Sequence, residues 1–260
     1  MIKKIAIIGF GNMGSAIYGR LLEKYSAEQI FICSRHDSRA RHLGAINFTF
    51  NIQDAVEKAD LIILAVKPQV FASLDKFGDL AGKLVVSIMA GVKISSINEK
   101  TNANKIVRAM PNLAVKSGQG VVGWLANKNV FTPVKKELKE IFALLGLEIQ
   151  VKTEDQLDKL SAISGSGPAY FYYFCESLAK AGVNIGFSQK QAMAMVRQTF
   201  IGSADVLVAS GLNYADLRRA VCSKGGSTLR ALEEFKQRKM DDMIYQAVKK
   251  ALARTKELGK

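Results

Sequence analysis

The sequence predicts an α/β domain with a doubly wound, mainly parallel sheet over residues 1–160, followed by an all-helical domain over residues 161–260. Three observations lead to this prediction. Short apolar runs alternate with helix-like stretches in the first half of the chain, and a glycine-rich turn follows the first of these runs. From about Glu154 onward, strand-like runs stop and helical patterns take over. A chain of 260 residues, 48% of them hydrophobic, can bury a core in one large domain or two smaller ones.

The strand candidates of the first half are nearly all apolar, which is typical of a parallel sheet covered by helices on both faces. Helical spacing of apolar residues predicts helices over residues 15–25 and 53–59. The strand candidates are, in chain order, residues 3–10, 29–35, 46–50, 60–68, 83–89, 105–110 and 119–126.

The second half contains helix candidates separated by glycines or short polar breaks, with no convincing strand. Residues 192–209 are apolar around much of the helix circumference, which is typical of a helix buried in a larger core or against another subunit. Because a helical region of roughly a hundred residues rarely buries such a surface alone, we expect at least a homodimer. The helix candidates are residues 157–163, 168–183, 190–210, 216–221 and 229–258.

Composition argues against several classes of protein. Lys and Asp interrupt every apolar run before it reaches membrane-spanning length, so no membrane partner is expected. The N-terminal apolar stretch leads into glycines without a small-residue cleavage pattern, which favours a first strand over a signal peptide. Cys33, Cys175 and Cys222 are far apart, odd in number and form no C-x-x-C pair. We therefore expect no metal site, buried inert thiols and a cytoplasmic location.

The formal net charge of +14 raises the question of nucleic-acid binding. However, the basic residues are dispersed, often among acids, as in residues 135–140 and 250–260. There is no arginine-rich run and no aromatic signature of an RNA-binding sheet. The pattern favours a soluble basic protein with anionic ligands and no nucleic-acid partner.

Residues 9–14, Gly-Phe-Gly-Asn-Met-Gly, match G-x-G-x-x-G between the first predicted strand and the first predicted helix. In a Rossmann turn, Gly9 permits the tight bend, Gly11 lets the backbone approach a pyrophosphate, and Gly14 lets helix and strand pack closely. The phosphates then lie at the positive end of the helix. A plain strand-to-helix turn would use the same glycines, but the full context favours a dinucleotide. The expected cofactor contacts are Gly9, Phe10, Gly11, Asn12, Met13 and Gly14.

The end of the second predicted strand bears on which dinucleotide is preferred. Proteins that select NAD place an acid about 20 residues beyond the glycines, where it binds the ribose hydroxyls. Here the strand ends in Ser34 and Arg35, a hydroxyl and a planar guanidinium that suit a 2′-phosphate, and Arg39 could add to them. Asp37 argues the other way but falls past the strand end. We predict that NADP(H) is preferred over NAD(H).

Three later strands end on the same rim of the sheet, where a doubly wound fold binds its ligands. Lys67 could point into the crevice or cap a surface turn, and both alternatives stay open. On this rim we expect cofactor contacts from Ala65, Val66, Lys67, Pro68, Ala90 and Gly91, and substrate contacts from Met110, Pro111 and Asn112.

Residues 223–228, Ser-Lys-Gly-Gly-Ser-Thr, combine glycine-opened backbone, hydroxyl groups and the start of a predicted helix. Those are the parts of a carboxylate-binding nest, although a turn joining two helices would use the same glycines. Lys224 could strengthen anion binding or point to solvent. Residues 164–170, Ser-Gly-Ser-Gly-Pro-Ala-Tyr, could form a second anion loop. A helix start or a domain junction, with Pro168 in the first turn and Ser164 or Ser166 as the cap, is an equal alternative.

Six segments, in this order and at these intervals, resemble the pyrroline-5-carboxylate reductase family across nearly the whole chain. The resemblance implies that the cyclic imine L-1-pyrroline-5-carboxylate is reduced to L-proline, the last step of proline biosynthesis, with hydride from NAD(P)H. It also implies a helical domain that interlocks with a second subunit, in dimers that assemble further into decamers. The segments are GFGNMG (9–14), AVKPQ (65–69), SIMAGV (87–92), RAMPN (108–112), SGSGPAY (164–170) and SKGGST (223–228).

Reduction of a cyclic imine requires little of the side chains, because the cofactor supplies the hydride and the imine nitrogen is easily protonated. The protein must hold the substrate carboxylate so that the imine carbon lies over the nicotinamide. No strong general acid is required, so His36 and His42 are given no catalytic role. We assign Ser223, Gly225, Gly226, Ser227 and Thr228 to the substrate. Ser227 and Thr228 are the catalytic candidates, and Thr228 matches the family threonine that is the usual candidate for contact with the ring nitrogen.

Other functions remain open. Leu113 and Ala114 stand where the family has Thr-Pro, and Lys224 replaces a proline of the late loop. These departures leave a related NADP-dependent imine or keto-acid reductase with another small substrate as an alternative. A non-catalytic relative that only binds the dinucleotide is a second one.

Overall fold

The computed structural model describes residues 2–36, 38–73, 77 and 79–258. Within this part of the chain the strands form one eight-stranded sheet in the order β3-β2-β1-β4-β5-β6-β7-β8. The strands are β1 (Ile5–Ile8), β2 (Ile30–Cys33), β3 (Asn47–Thr49), β4 (Leu61–Leu64), β5 (Leu84–Ser87), β6 (Lys105–Pro111), β7 (Gly120–Ala126) and β8 (Gly146–Gln150).

The sheet is doubly wound and mainly parallel, as predicted. Strands β1 to β6 are parallel to one another, whereas β7 runs antiparallel to β6 and parallel to β8. The strand order reverses at β1, which pairs with β2 on one side and with β4 on the other. Such a reversal opens a crevice at the carboxyl ends of these strands, where doubly wound folds bind ligands.

Helices cover the sheet and make up the second half of the chain. A 3₁₀ helix spans Ala27–Gln29, another spans Leu113–Ser117, and a π-helical turn spans Ser161–Gly165. The α-helices are α1 (Asn12–Leu21), α2 (Ser38–His42), α3 (Ile52–Glu57), α4 (Pro68–Ser73), α5 (Ile94–Thr101), α6 (Thr132–Ala143), α7 (Glu154–Leu160), α8 (Gly167–Asn184), α9 (Gln189–Ser210), α10 (Tyr214–Ala220), α11 (Ser227–Gln237) and α12 (Met240–Leu258).

The differences from the predicted elements have local causes. The predictions do not include α2, α4, α5, α6 or β8. Strand β8 is short, and its Leu147 and Ile149 are exposed at the sheet edge, so it lacks the continuous apolar run of the inner strands. The run 229–258 is divided into α11 and α12 at Lys239, which has a φ of +54° and so cannot continue an α-helix.

Both faces of the sheet are buried, which explains the nearly continuous apolar runs. In β1, Ile5 and Ile7 point into one core cluster with Leu21 of α1, and Ala6 and Ile8 point into a second cluster on the opposite face. All four strand residues are at most 2% exposed. The alternation places α1 and α3 on opposite sides, because Val56 of α3 belongs to the second cluster.

The contacts within the chain divide it into two compact units. One comprises the described residues up to Pro168 together with those from Lys250 onward, and the other comprises Ala169–Lys249. The domain boundary predicted at residues 160 and 161 stays a prediction. Among the described residues, no helix is both long and apolar enough to span a membrane.

The unit Ala169–Lys249, all of which the structure describes, contains almost no interior of its own. Ala192 is its one buried residue. Large apolar side chains of its helices are exposed, among them Phe171, Tyr173, Val206, Val208 and Ile244. A single copy of this unit therefore leaves unburied the surface that normally stabilises a helical domain.

The three cysteines are free thiols. Cys33 is buried at the end of β2, as predicted, and its burial raises the pKa of the thiol to about 11, which disfavours the reactive thiolate. Cys175 and Cys222 are only partly buried, so the prediction of burial is wrong for them in a single chain. Among the described residues, no group of three or more His, Cys, Asp or Glu side chains could hold a metal ion.

Tyr25 provides a test of how the first unit is stabilised. Its hydroxyl is buried without a hydrogen-bond partner in the described part of the chain, and burial raises its pKa. We expect Tyr25→Phe to leave the free energy of unfolding unchanged or to raise it by up to about 1 kcal/mol, because it removes an unpaired polar group at constant shape. Urea denaturation followed by circular dichroism measures this difference.

A matched control removes a buried hydroxyl that does have partners. Thr101 donates to the Ile97 carbonyl oxygen (2.6 Å) and accepts from the Ala103 amide (3.3 Å). Thr101→Val should therefore cost about 1–3 kcal/mol. Equal losses in Tyr25→Phe and Thr101→Val would show that the Tyr25 hydroxyl is paired in solution.

Candidate active site

The glycine turn begins where β1 ends, against the end of β4. Gly9 has a φ of +99°, and a Cβ atom placed on it would lie 2.8 Å from the carbonyl carbon of Ala65. Its amide donates to the Cys33 carbonyl oxygen at 2.8 Å, and the Ala65 amide donates to the Ile8 carbonyl oxygen at 2.8 Å. Only glycine fits this conformation and this close approach of two backbones.

Gly14 and Gly11 differ in what surrounds them. A Cβ atom on Gly14 would lie 2.2 Å from the Gly9 carbonyl oxygen, so this glycine lets α1 pack onto the turn. At the corresponding position on Gly11, no atom of the described residues other than its chain neighbours lies within 4 Å. Gly11 is the N-cap of α1 and, being glycine, offers no side chain to cap the helix. Open space in front of uncapped amides fits the pyrophosphate of a dinucleotide.

The other residues of the turn face different ways. Phe10 is buried and packs edge-to-face against Tyr18, with ring centroids 5.5 Å apart, so its side chain belongs to the core. Met13 is partly buried and also packs against the core. Asn12 faces the end of β2 instead, because its Oδ1 accepts a hydrogen bond from Arg39 Nη1 at 2.9 Å. The structure thus brings Arg39 to the glycine turn.

The residues predicted to bind the 2′-phosphate are only partly brought together in the structure. Ser34 Oγ accepts from the His36 amide at 3.5 Å, and Arg35 is exposed. Asp37 lies outside the described residues. His36 and His42 are exposed beside the same segment. Among the described residues that follow β2, Arg39 is thus the cationic group tied to the glycine turn. Asp54 is an anionic group near the end of the same strand, because its charge helps to raise the pKa of the Cys33 thiol.

The rim residues after β4 and β5 lie where the doubly wound topology predicts. Ala65 and Val66 are partly buried, and Lys67 is exposed directly before Pro68 begins α4. Both alternatives for the Lys67 side chain remain. Ala90 packs against a small core cluster of Met110, Leu125 and Leu157, and Gly91 is buried with a φ of +75°.

At the end of β6, Asn112 makes two structural contacts. Its Nδ2 donates to the Ser164 carbonyl oxygen at 3.1 Å, and its Oδ1 accepts from the Val121 amide at 3.1 Å. Met110, Pro111 and Asn112 are all buried. Asn112 thus links the end of β6 to the neighbouring strand and to the π-helical turn, and a role as a substrate contact stays a prediction.

The segment 164–170 contains the start of α8 at Gly167, and Pro168 lies in the first turn of this helix, as predicted. Ser164 Oγ donates back to the Leu160 carbonyl oxygen at 3.1 Å, and the Ser166 amide donates to the Ser161 carbonyl oxygen at 3.0 Å. Both serines therefore belong to the preceding helical turns, and the prediction that one of them caps α8 is wrong. The boundary between the two compact units falls directly after Pro168, which fits the domain-junction alternative. Single π turns occur often at functional sites.

The late loop has the local geometry predicted for an anion site. Gly225 has a φ of +72°, and the Gly226 amide donates to the Ser223 carbonyl oxygen at 3.0 Å, which closes a tight turn. Gly226 is the N-cap of α11 and, being glycine, offers no side chain to cap the helix. Ser227 and Thr228 form its exposed first turn, and Lys224 is also exposed. The loop belongs to the unit Ala169–Lys249.

One buried cluster of charged side chains, at β6 and α7, is not among the residues predicted from the sequence. Arg108 of β6 is buried and forms ion pairs with Glu154 (2.8 Å) and Asp158 (3.1 Å) of α7. The partners lie 46 and 50 residues away along the chain, so no local motif joins them. The one available signal is a charged residue inside an otherwise apolar strand pattern, which requires a buried partner.

The sheet and the glycine turn have the form of a dinucleotide-binding domain, and the comparisons with known proteins show that the class is a nicotinamide-dinucleotide-dependent oxidoreductase. The family described as "NADP oxidoreductase coenzyme F420-dependent" matches residues 4–91, and "Pyrroline-5-carboxylate reductase dimerisation" matches residues 154–258. The chain belongs to the pyrroline-5-carboxylate reductase family, as the motifs predicted.

Relatives that match this chain over nearly their whole length support the assignment to this family. The chain is 35% identical to the pyrroline-5-carboxylate reductase of Vibrio alginolyticus, with 99% of this chain and 98% of that protein covered. It is 33% identical to the one of Haemophilus influenzae, with 98% and 97% covered. The crystal structure of the Plasmodium falciparum pyrroline carboxylate reductase with NADP bound superposes with a TM-score of 0.84 at 31% identity, covering 99% of this chain and 98% of that one.

Gly11 and Gly14 allow the pyrophosphate assignment to be tested with the same substitution at two sites. Gly11→Ala should leave the free energy of unfolding within about 1 kcal/mol of wild type, because its φ of −76° and open surroundings accept a methyl group. It should weaken NADPH binding at least about tenfold, because the methyl group blocks the approach of the phosphates. Fluorescence titration with NADPH and urea denaturation measure the two effects.

Gly14→Ala serves as the comparison. It should cost about 1–3 kcal/mol of stability as well as NADPH affinity, because its methyl group meets the Gly9 carbonyl oxygen. Unchanged NADPH affinity in Gly11→Ala would place the pyrophosphate elsewhere.

Proposed function

We propose that the protein reduces L-1-pyrroline-5-carboxylate to L-proline with hydride from NADPH, the last step of proline biosynthesis. The observation that carries this proposal is the identity of 30–35% to several enzymes of that name over at least 98% of this chain. The dinucleotide turn of the first unit supports the cofactor half of the reaction. The uncapped start of α11 supports the substrate half.

In the proposed mechanism the residues of this chain bind and orient the reactants. When bound, the nicotinamide cofactor supplies the hydride. The Gly225 amide and the amides of the first turn of α11 hold the substrate carboxylate, assisted by the hydroxyls of Ser223 and Ser227. Gly226 lets the backbone approach the carboxylate, while its own amide donates to the Ser223 carbonyl oxygen and keeps the turn closed. Anions bind well at such helix starts because the amides point outward and the helix dipole is positive there. Thr228 Oγ hydrogen-bonds the ring nitrogen and fixes the angle at which the imine carbon meets the nicotinamide.

A preference for NADP(H) over NAD(H) belongs to the same proposal. Arg39 supports it, because its guanidinium is already tied to Asn12 of the glycine turn at 2.9 Å. Ser34 and Arg35 supply a hydroxyl and a second guanidinium from the adjacent strand end. Two guanidinium groups and a hydroxyl suit a dianionic 2′-phosphate better than a ribose hydroxyl.

The proposed working unit is a homodimer, which could assemble further into a decamer. The match of residues 154–258 to a dimerisation family and the exposed apolar helices of Ala169–Lys249 support the dimer. We also propose a cytoplasmic location, supported by the free thiols, with no nucleic-acid or membrane partner.

A second candidate is a related imine or keto-acid reductase with another small substrate. Leu113 favours it, because this apolar side chain is 40% exposed directly after Asn112, where the family pattern has threonine. Oxidation of NADPH in the presence of pyrroline-5-carboxylate, followed by absorbance, decides between the candidates. Turnover with proline as product supports the first. NADPH binding without turnover supports the second or a non-catalytic relative, which a panel of cyclic imines and keto acids then separates.

Thr228→Ala tests the catalytic assignment. We expect kcat/KM for pyrroline-5-carboxylate to fall at least about tenfold, because the hydrogen bond to the ring nitrogen is lost. NADPH affinity should not change. Steady-state kinetics measures the first quantity and fluorescence titration the second. Thr255→Ala, which removes a threonine hydroxyl bonded to the Ala251 carbonyl oxygen in α12, is the control. Equal kinetics in the two variants would remove Thr228 from the mechanism.

Arg39→Ala tests the cofactor preference. The affinity for NADPH should fall about tenfold, the value of one charge-assisted hydrogen bond, and the affinity for NADH should change less than about twofold. Arg41→Ala removes the same charge from the same short helix and controls for long-range electrostatics. Equal losses for both dinucleotides, or equal losses in both variants, would contradict a contact between Arg39 and the 2′-phosphate.

A further inference from the structure

Arg108 is a charged side chain in the buried part of β6. It is 1% exposed, and its guanidinium donates from Nη1 to Glu154 Oε1 at 2.8 Å and from Nη2 to Asp158 Oδ1 at 3.1 Å. Both carboxylates lie on α7, four positions apart and hence on one face of the helix. A buried guanidinium is costly unless it is paired, and the two carboxylates supply that pairing. One arginine thus holds one face of α7 against the sheet.

Glu154 extends this contact to a third element. Its Oε1 also accepts a hydrogen bond from the Ile94 amide at 3.0 Å. Ile94 is the first residue of α5, and its N-cap residue, Lys93, provides no side-chain cap. Glu154 therefore caps α5 from outside the helix. A single carboxylate oxygen joins β6, α7 and the start of α5.

These three elements carry segments of the proposed site. Helix α5 follows Ala90 and Gly91, strand β6 ends at Pro111 directly before Asn112, and α7 continues into the π turn Ser161–Gly165. Apolar packing ties the same parts together, because Ala90 and Ile94 contact the cluster of Met110, Leu125 and Leu157. The hydrogen bond from Asn112 Nδ2 to the Ser164 carbonyl oxygen joins the end of β6 directly to the π turn at the rim.

We propose that Arg108 is a positioning residue of the reduction, which sets the loop at Ala90 and the π turn relative to the end of β6 by holding Glu154 and Asp158. This inference rests on the proposed function for its substrate. Arg108 acts through α7 and α5 and does not touch the reactants. A guanidinium presents its donors in a rigid planar fork, so it fixes two carboxylates at once, whereas a lysine ammonium is a single point on a flexible stem. A small displacement of groups around a reacting pair is enough to cost an order of magnitude or more in rate.

Arg108→Lys is the primary test, because it keeps the charge and removes the fork. We expect kcat with pyrroline-5-carboxylate to fall at least about tenfold, with KM raised as well. NADPH affinity should fall much less than kcat, because the glycine turn, which carries the expected pyrophosphate contacts, is held without Arg108, and only Ala90 and Gly91 among the expected cofactor contacts lie in a segment that Arg108 positions. The matched control is Arg20→Lys, which removes the fork of an arginine bonded to the Leu144 carbonyl oxygen at 2.9 Å. We expect its kcat and KM to stay within about twofold of wild type.

Equal kcat and KM in Arg108→Lys and Arg20→Lys, at a temperature where both are folded, would overturn the proposal and leave Arg108 with packing alone. Where Arg108→Lys does not fold, Glu154→Gln and Asp158→Asn replace it, because they keep the shape of the side chains. Glu154→Gln should lower kcat more than Asp158→Asn, since Glu154 also holds the Ile94 amide. Wild-type kinetics in both would equally overturn the proposal.

Hydrogen exchange separates this inference from the proposed function. The amides of Ile94 and of Ser161–Gly165 should exchange faster in Arg108→Lys than in wild type and in Arg20→Lys. This measurement needs no substrate. If the wild-type protein does not reduce pyrroline-5-carboxylate, the proposed function fails, and exchange alone decides whether Arg108 positions these segments. Unchanged exchange at both places overturns the inference whatever the activity.

Discussion

The close approach of β1, β4 and α1 at the glycine turn is the constraint on which the first unit depends. Gly9 touches the backbone at Ala65, and Gly14 touches the carbonyl group of Gly9, so a Cβ atom at either position would collide with main chain. This compact junction places the start of α1 directly at the point where the strand order reverses. The crevice, the positive end of the helix dipole and the uncapped amides therefore lie at the same place, because Gly9 and Gly14 have no side chains. At Gly11 the same lack of a side chain leaves space instead of closing it.

The second unit presents the opposite situation, because its sequence contains ample apolar surface but its single chain buries almost none of it. A helical domain gains stability by packing amphipathic faces together, so these helices require another surface of matching length. The dimerisation family that covers residues 154–258 accounts for this. The net charge of +14 is a separate property of the chain. A basic protein attracts anionic ligands without requiring a dedicated patch.

Prediction from sequence succeeded where one local rule determined the structure. The turn at residues 9–14 and the inner strands follow from glycine geometry and continuous apolar runs, and the late loop follows from a glycine pair before a helix. Strand β8 was not predicted, because Leu147 and Ile149 are exposed at a sheet edge, where the apolar pattern is interrupted. The π turn escaped because its residues do not differ in composition from a helix start. The role of Arg108 was not predicted, because its partners lie about fifty residues further along the chain, and pairing at that sequence separation leaves no local pattern.

The missed cluster shows why a protein would retain ions in a place that apolar residues could fill. Met110, Leu125 and Leu157 already pack α7 onto the sheet, and hydrophobic contacts of this kind tolerate small shifts with little loss. A buried guanidinium between two carboxylates does not, because a shift of α7 would leave charges unpaired in a region of low dielectric constant. The apolar cluster thus holds α7 against the sheet, and the ion pairs fix its position along β6. Under the proposed function, that division is most useful where β6 ends, since the segments on either side carry groups that we assign to the cofactor and the substrate, and the spacing of such groups determines whether a bound imine accepts hydride.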